Sequence, residues 1–200
     1  MMDLDSLRAH MGAVSDMAAD KALPALDKHA RHFLRLCPFL VLASADGQGQ
    51  VDASPRGDPP GFVQVLDDRT LLIPDRPGNN RVDSFRNMLT SPAVGLIFFV
   101  PGIDETLRVT GTARLSTDAD ALAGAAVQGR TPKTGLVIAI TAVMFHCAKA
   151  LRRSRLWDPA AQIERSEFPT LGRIIADQIE GFEADVADAR IEKAYRERMY

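Results

Sequence analysis

The chain has 200 residues, 46% hydrophobic and 25% charged, with 24 Lys and Arg against 26 Asp and Glu for a formal net charge of −2. That is the profile of a globular domain with room for a self-sufficient core and extra terminal elements. The even charge balance removes the electrostatic case for nucleic acid as main partner, and apolar runs of about ten residues are too short to span a bilayer, so neither nucleic acid nor membrane is expected.

Residues 4 to 36 read as helical. Leu23, Leu26, Ala30, Phe33 and Leu34 recur at three- and four-residue steps, Pro24 suits a first turn, and Pro38 closes the segment. The period then changes. Residues 39–44 form an apolar, strand-like run, ADGQGQ a glycine-rich turn, and VDASP a second short strand, together an antiparallel hairpin. Residues 61–66 alternate, DDR turns the chain, and residues 70–74 make the next strand. DRPGNN is a loop, followed by a short helix over 81–89 with Val82, Phe85 and Leu89 on one side. Residues 93–100 read as a strand buried on both faces. After a PGID turn, residues 105–115 form a long strand interrupted by Gly111, where a bulge or sharp bend is expected. Residues 117–127 are Ala-rich and helical, capped by Thr117 or Asp118. Residues 136–148 are strand-like, and the basic run KALRRSRLWDP follows. The tail from Thr170 carries Ile174, Ile175, Ile179, Phe182 and Val186 at helical spacing. Short strands, tight turns and one small helix point to a closed antiparallel barrel rather than to a Rossmann alternation.

Cys37 and Cys147 sit far apart beside apolar neighbours and are expected as two buried, reduced thiols. The N-terminus lacks the basic-then-apolar order of a signal peptide, so a cytoplasmic location is expected. No CxxC pair or Cys/His cluster marks a metal site. His146 adjoins Cys147, but neighbours on a strand point to opposite faces. His10, His29 and His32 read as helix-face residues. GxSxG, HExxH and P-loop signatures are all missing.

The stretch 51–81 is the unusual one. It holds SPRGDPPGF and IPDRPGNNR, too rich in Pro and Gly for plain strands. Each loop ends a strand and offers fixed cations: Arg56 in the first, Arg76 and Arg81 in the second. Asn79 and Asn80 add neutral donors directly before a helix. Arginines, amides and a helix N-terminus suit a dianion such as a phosphate monoester. The same residue types also suit solvated turns, with Arg56 and Arg81 pairing with Asp58 and Asp83.

These two segments, with the strands around them and FHCAKALRRSRLWDP beyond, resemble the flavin-binding core of the pyridoxamine 5'-phosphate oxidase-like family over roughly residues 35 to 160. Within it they are most similar to a bacterial subgroup of FMN-dependent type. The resemblance implies a mainly β protein with flanking helices: a six-stranded antiparallel split β-barrel over 37–160, an N-terminal helical segment over 1–36 packing on it, and a C-terminal helical segment over 161–200. It also implies a homodimer with FMN at the subunit interface.

Site residues follow from the same resemblance. Where the family reads YTNxxSRK, this chain has IPDRPGNNR, so Asn79, Asn80 and Arg81 stand at the Ser, Arg and Lys positions. Ser54 and Arg56 come from the first loop, and the backbone of Ile73, Pro74 and Asp75 would lie along the isoalloxazine. The family's RQVxVxG becomes ETLRVTG, placing Thr106 at the Gln position and Arg108 nearby. The oxidase's substrate-gripping RLHDR becomes Arg155, Leu156, Trp157, Asp158 and Pro159, which puts pyridoxamine phosphate oxidation in doubt. Trp157 would cover or stack on the flavin. Lys149, Arg152, Arg153 and Arg155 form a basic run that suits a solvated loop or, in the resemblance, has one or two members facing the partner's FMN phosphate across the dimer, and Arg108 or Lys149 would sit by the pyrimidine edge. No residue stands out as a general base, so none is assigned as catalytic. The function implied is an FMN-dependent oxidoreductase acting on a small molecule. A non-catalytic flavin or haem carrier or sensor on the same barrel, and a plain dimeric interaction domain, are the alternatives.

Overall fold

The computed structural model describes residues 2–15 and 20–200. Seven strands form one antiparallel sheet: β1 Phe39–Ala45, β2 Val51–Gly57, β3 Gln64–Asp67, β4 Thr70–Pro74, β5 Ala93–Phe99, β6 Thr106–Ser116 and β7 Gly135–His146. Their order is β2-β1-β5-β6-β7-β4-β3. The family resemblance implied six strands; the structure has seven, counting the four-residue β3 at one margin. The described helices are α1 Leu4–Met11, α2 Lys28–Leu36, α3 Asp83–Thr90, α4 Ala119–Ala123, α5 Lys149–Ser154, α6 Leu171–Gln178 and α7 Ala184–Glu197.

Alternation in the strands builds the core. Leu40 faces Phe98, which faces Leu107, which faces Phe145; one step along, Leu42, Leu96, Val109 and Val143 make a second row. Leu40, Leu42, Phe98, Leu107 and Val109 have no exposed surface. Each such side chain contributes about 1.5–3 kcal/mol by leaving water. β5 was expected to be buried on both faces. It instead alternates, with Val94, Leu96 and Phe98 buried and Gly95, Ile97 and Phe99 half-buried. Gly111 sits at a register shift between β6 and β7, and a Cβ there would lie 2.1 Å from the Ala139 carbonyl oxygen. Only glycine allows that approach, so the expected bulge is real.

β2 forms the opposite margin, with Pro55 inside it opposite Val41. In a flat sheet, five inter-strand steps of roughly 4.8 Å would hold β2 about 24 Å from β4. The side chains that end these strands are nonetheless in contact, as described below, so the sheet curls into a barrel. No strand ladder joins its two margins among the described residues.

The N-terminal segment departs from expectation. Residues 20–27 are not helical: Leu23 makes an isolated bridge to Val143, Pro24 lies outside any helix, and α2 starts only after Asp27. The Asp27 carboxylate accepts from the Ala30 amide at 2.7 Å and caps the helix. α2 buries Ala30, Phe33 and Leu34 in the main core. Part of the expected helix, residues 16–19, lies outside the described residues. The Ala-rich helix is short and capped by Asp118. The tail is two helices, because Gly181, at φ 86°, breaks the run between Ile179 and Glu183. Cys37 is buried, and burial pushes its thiol pKa up. Cys147 is exposed, contrary to expectation, because it lies just past the end of β7.

Candidate functional site

The two Pro/Gly segments meet at the gap between the barrel's margins. SPRGDPPGF runs off the end of β2. The Asp58 amide donates to the Pro38 carbonyl at 3.0 Å and the Gly61 amide to the Cys37 carbonyl at 3.1 Å. Gly61 has φ +82°, and a Cβ would press on the Arg35 carbonyl oxygen at 3.1 Å, so glycine is required at this turn. IPDRPGNNR runs off β4, where the Asp75 amide donates to the Thr134 carbonyl at 3.0 Å.

Each segment brings an acid with a base one or two residues away, and these pair crosswise. Arg56 Nη1 donates to Asp75 Oδ1 at 2.8 Å, and Arg76 Nε donates to Asp58 Oδ2 at 2.5 Å. The Asp58 side chain is completely buried. Arg76 also donates to the Ala125 carbonyl at 2.9 Å. Ion pairs thus hold the seam where strand hydrogen bonds are missing. The two segments had suggested Asp58 as a partner for Arg56; the structure gives Arg56 to Asp75 and Asp58 to Arg76.

Arg56 lies over the Phe85 ring of α3, 5.7 Å from its centroid. Its Nε is buried with no hydrogen-bond partner. α3 begins unusually. Its N-cap, Val82, is left-handed at φ 54° and offers no side-chain cap, and Asn80 is also left-handed at φ 57°. A β-branched residue in that region is strained. The first amides of α3 therefore have no side-chain cap, beside a buried guanidinium that lacks one acceptor. Arg81 is exposed, pairs with Asp83 at 2.7 Å, and has its amide held by Asn79 Oδ1 at 3.0 Å. The carboxylate of Asp83 raises the Arg81 pKa above its ordinary value. Nearby, Ser84 Oγ donates to Asp52 at 2.9 Å. Of the residues named from the sequence, Arg56 and Asp75 are in direct contact and Arg56 lies on Phe85 of α3; Asn79, Asn80 and Arg81 directly precede α3 along the chain, Ser54 lies two residues back along β2, and Ile73 and Pro74 end β4.

The remaining site residues form a second group around the β5–β6 turn. Trp157 Nε1 donates to the Ile103 carbonyl at 2.9 Å. Arg152 pairs with Asp104 at 2.9 Å and Arg155 with Asp158 at 2.6 Å. That arginine holds the Asp158 pKa below its ordinary value. Thr106 is buried at the start of β6, while Arg108 and Lys149 are exposed. The basic run is a helical turn, α5, ending at a left-handed Arg155. No hydrogen bond or ion pair joins the two groups among the described residues.

Three partners went unrecognised in the sequence: Asp75 as a seam carboxylate, Phe85 under Arg56, and Tyr200. The Tyr200 hydroxyl donates to Asp58 Oδ1 at 2.8 Å. The first two had a signal, since acid and base occur in both Pro/Gly segments and Phe85 was placed on the helix. Tyr200 had none.

The fold and this seam define a split β-barrel protein. The pyridoxamine 5'-phosphate oxidase family profile matches residues 26–147, more than half the chain, and the protein belongs to that family. Among solved structures it is similar to HupZ of Group A Streptococcus, at 18% identity over 59% of this chain and 91% of that one, TM-score 0.48. It is also similar to an FMN-binding protein from Syntrophomonas wolfei (11% identity, 72% and 97% covered, TM-score 0.45). A third similar structure is HutZ, a heme storage protein of Vibrio cholerae (14%, 58% and 89%, TM-score 0.41). No curated protein matches the chain.

Proposed function

We propose that the protein is an FMN-binding flavoprotein, an FMN-dependent oxidoreductase for a small molecule, acting as a cytoplasmic homodimer with FMN at the subunit interface. Family membership supports the cofactor class. The observation that carries the reading is the buried Arg56 Nε without an acceptor, next to the α3 N-terminus without a side-chain cap. A phosphate monoester supplies oxygen acceptors for both. Arg56 and Arg81 would hold it, with Ser54, Asn79 and Asn80 as neutral donors. The anion competes with Asp75 and Asp83 for those guanidinium groups, and the exposed Arg81 is the easier to draw away. Backbone at Ile73, Pro74 and Asp75 would lie along the ring system. Thr106 and Arg108 would stand by the flavin ring with Trp157 over its open face, and one or two of the basic run holding Lys149 and Arg155 would reach the phosphate across the dimer. When bound, FMN supplies hydride or electron-transfer chemistry, and the protein fixes its orientation. Trp157 and its neighbours would shield the ring from water. No described helix is long and apolar enough to cross a membrane.

The test is the colour and absorbance of the purified protein, followed by FMN titration. Expected are a flavin spectrum, a dimer by ultracentrifugation, and at least about tenfold weaker FMN binding for Arg56→Ala, the loss of one charge-assisted contact. A Soret band, or colourless protein that ignores added FMN, rejects the flavin reading.

A further inference from the structure

The buried Asp58 carboxylate serves two partners. Arg76 takes Oδ2, and the Tyr200 hydroxyl takes Oδ1 at 2.8 Å. The Arg76 guanidinium lies over the Tyr200 ring, 5.6 Å from its centroid. Arg130 donates to the Tyr200 carbonyl. One aromatic ring therefore meets a carboxylate aimed at its hydroxyl and a cation on its π face, which are the two elements needed to recognise a phenol. A cleft of about 210 Å³ continues beside it, lined by Asp58 and Arg76 and walled by Pro60, Phe62 and Ala125.

The occupant is held in an unusual way. α6 and α7 pack on each other, with the Gly172 amide donating to Asp188 at 2.8 Å. Among the described residues, the hydrogen bonds that join 162–200 to the barrel are those of Tyr200 alone, and no ion pair joins them. A hairpin tied at one residue can lift as a unit.

We propose that Asp58 and Arg76 form a binding site for small phenols, which Tyr200 fills from within the chain and a free phenol takes when the C-terminal hairpin lifts. A tethered ring acts at an effective concentration on the order of millimolar, so a solution ligand must bind better than that to compete.

The probe is 4-methylphenol, the Tyr side chain itself, titrated into the purified full-length protein and its Tyr200→Ala variant. Saturable binding to Tyr200→Ala, with at least tenfold weaker binding to wild type and to Tyr200→Ala with Asp58→Asn, is expected. Toluene, which lacks the hydroxyl, should bind Tyr200→Ala about tenfold more weakly than 4-methylphenol. No saturable binding to Tyr200→Ala, or equal binding of toluene, overturns the site. Should Tyr200→Ala not fold, Tyr200→Phe gives the second reading: its hairpin should be cleaved by protease several-fold faster than in wild type, and saturating 4-methylphenol should speed cleavage of the wild-type hairpin. Unchanged cleavage in both also overturns it.

Discussion

Two sets of ion pairs use the same chemistry to different ends. At the barrel seam, Arg56–Asp75 and Arg76–Asp58 are largely out of water, and the Asp58 side chain is 0% exposed. Around α3 and α5, Arg81 and Arg155 pair with their own neighbours Asp83 and Asp158, and their side chains are 72% and 58% exposed. A buried pair that loses one member leaves a charge with nowhere to go, while an exposed pair that loses one is rescued by solvent. The seam arginines are thus committed to architecture. The outer ones can leave an aspartate for an incoming anion at little cost. Arg56 belongs to both sets: Nη1 closes the seam and Nε waits for an acceptor.

Substitutions can break this contrast. The largest effect is expected for Asp58→Ala, which strands Arg76 and releases Tyr200. It should cost about 3 kcal/mol in urea unfolding. A loss below about 1 kcal/mol, the surface-pair value, would mean that the seam is not held by this pair. Next comes the Arg56–Asp75 coupling. A double-mutant cycle to Ala should return about 1–2 kcal/mol, and additive single effects would reclassify the pair as surface-like.

The third effect is a dependence on pH. The Tyr200 pKa is raised above its ordinary value, first by its hydrogen bond to Asp58, then by desolvation and the Asp58 charge, against the opposing charge of Arg76. The folded state therefore prefers the protonated phenol. The stabilisation is complete below the ordinary tyrosine range and fades as pH rises through the raised value. The chain has two tyrosines. Phenolate absorbance should show an ionisation above the ordinary tyrosine range that disappears in Tyr200→Phe, with the hairpin becoming protease-sensitive through it. A titration left unchanged by Tyr200→Phe would contradict this. The smallest effect belongs to Arg81→Ala and Arg155→Ala. Both should leave the unfolding midpoint where it is while weakening FMN binding. A fall in stability like that of Asp58→Ala would erase the contrast.

Much of the barrel was legible because short apolar runs bounded by turn residues, such as those holding Leu40 and Leu42 or Leu96, mark buried strands whatever the tertiary context, although the alternation within β5 was not read. Gly111 was legible for a similar reason, since a glycine in a long strand usually answers a close approach. Residues 20–27 were misread because three- and four-residue spacing can arise in an extended segment that touches the core at single points, as Leu23 does at Val143. Pro24, consistent with a helix start, is equally at home in such a segment. At the site, the two Pro/Gly segments were found, but not their wiring. Sequence shows an acid and a base on each loop; which pairs form depends on how far the sheet curls. Tyr200 contacts Asp58, 142 positions away, through an isolated side chain, and no local pattern announces that.

The open margin at β2 has one more consequence. A barrel that stops short of closure exposes a row of main-chain groups, the natural template on which another molecule could lay a strand. Pro55 interrupts that row, since it has no N–H to offer. Replacing it with Val would supply the missing donor in a β-prone residue, and faster turbidity on warming is the expected sign. With Pro55 in place, the protein keeps an unsealed edge without inviting copies of itself to stack there.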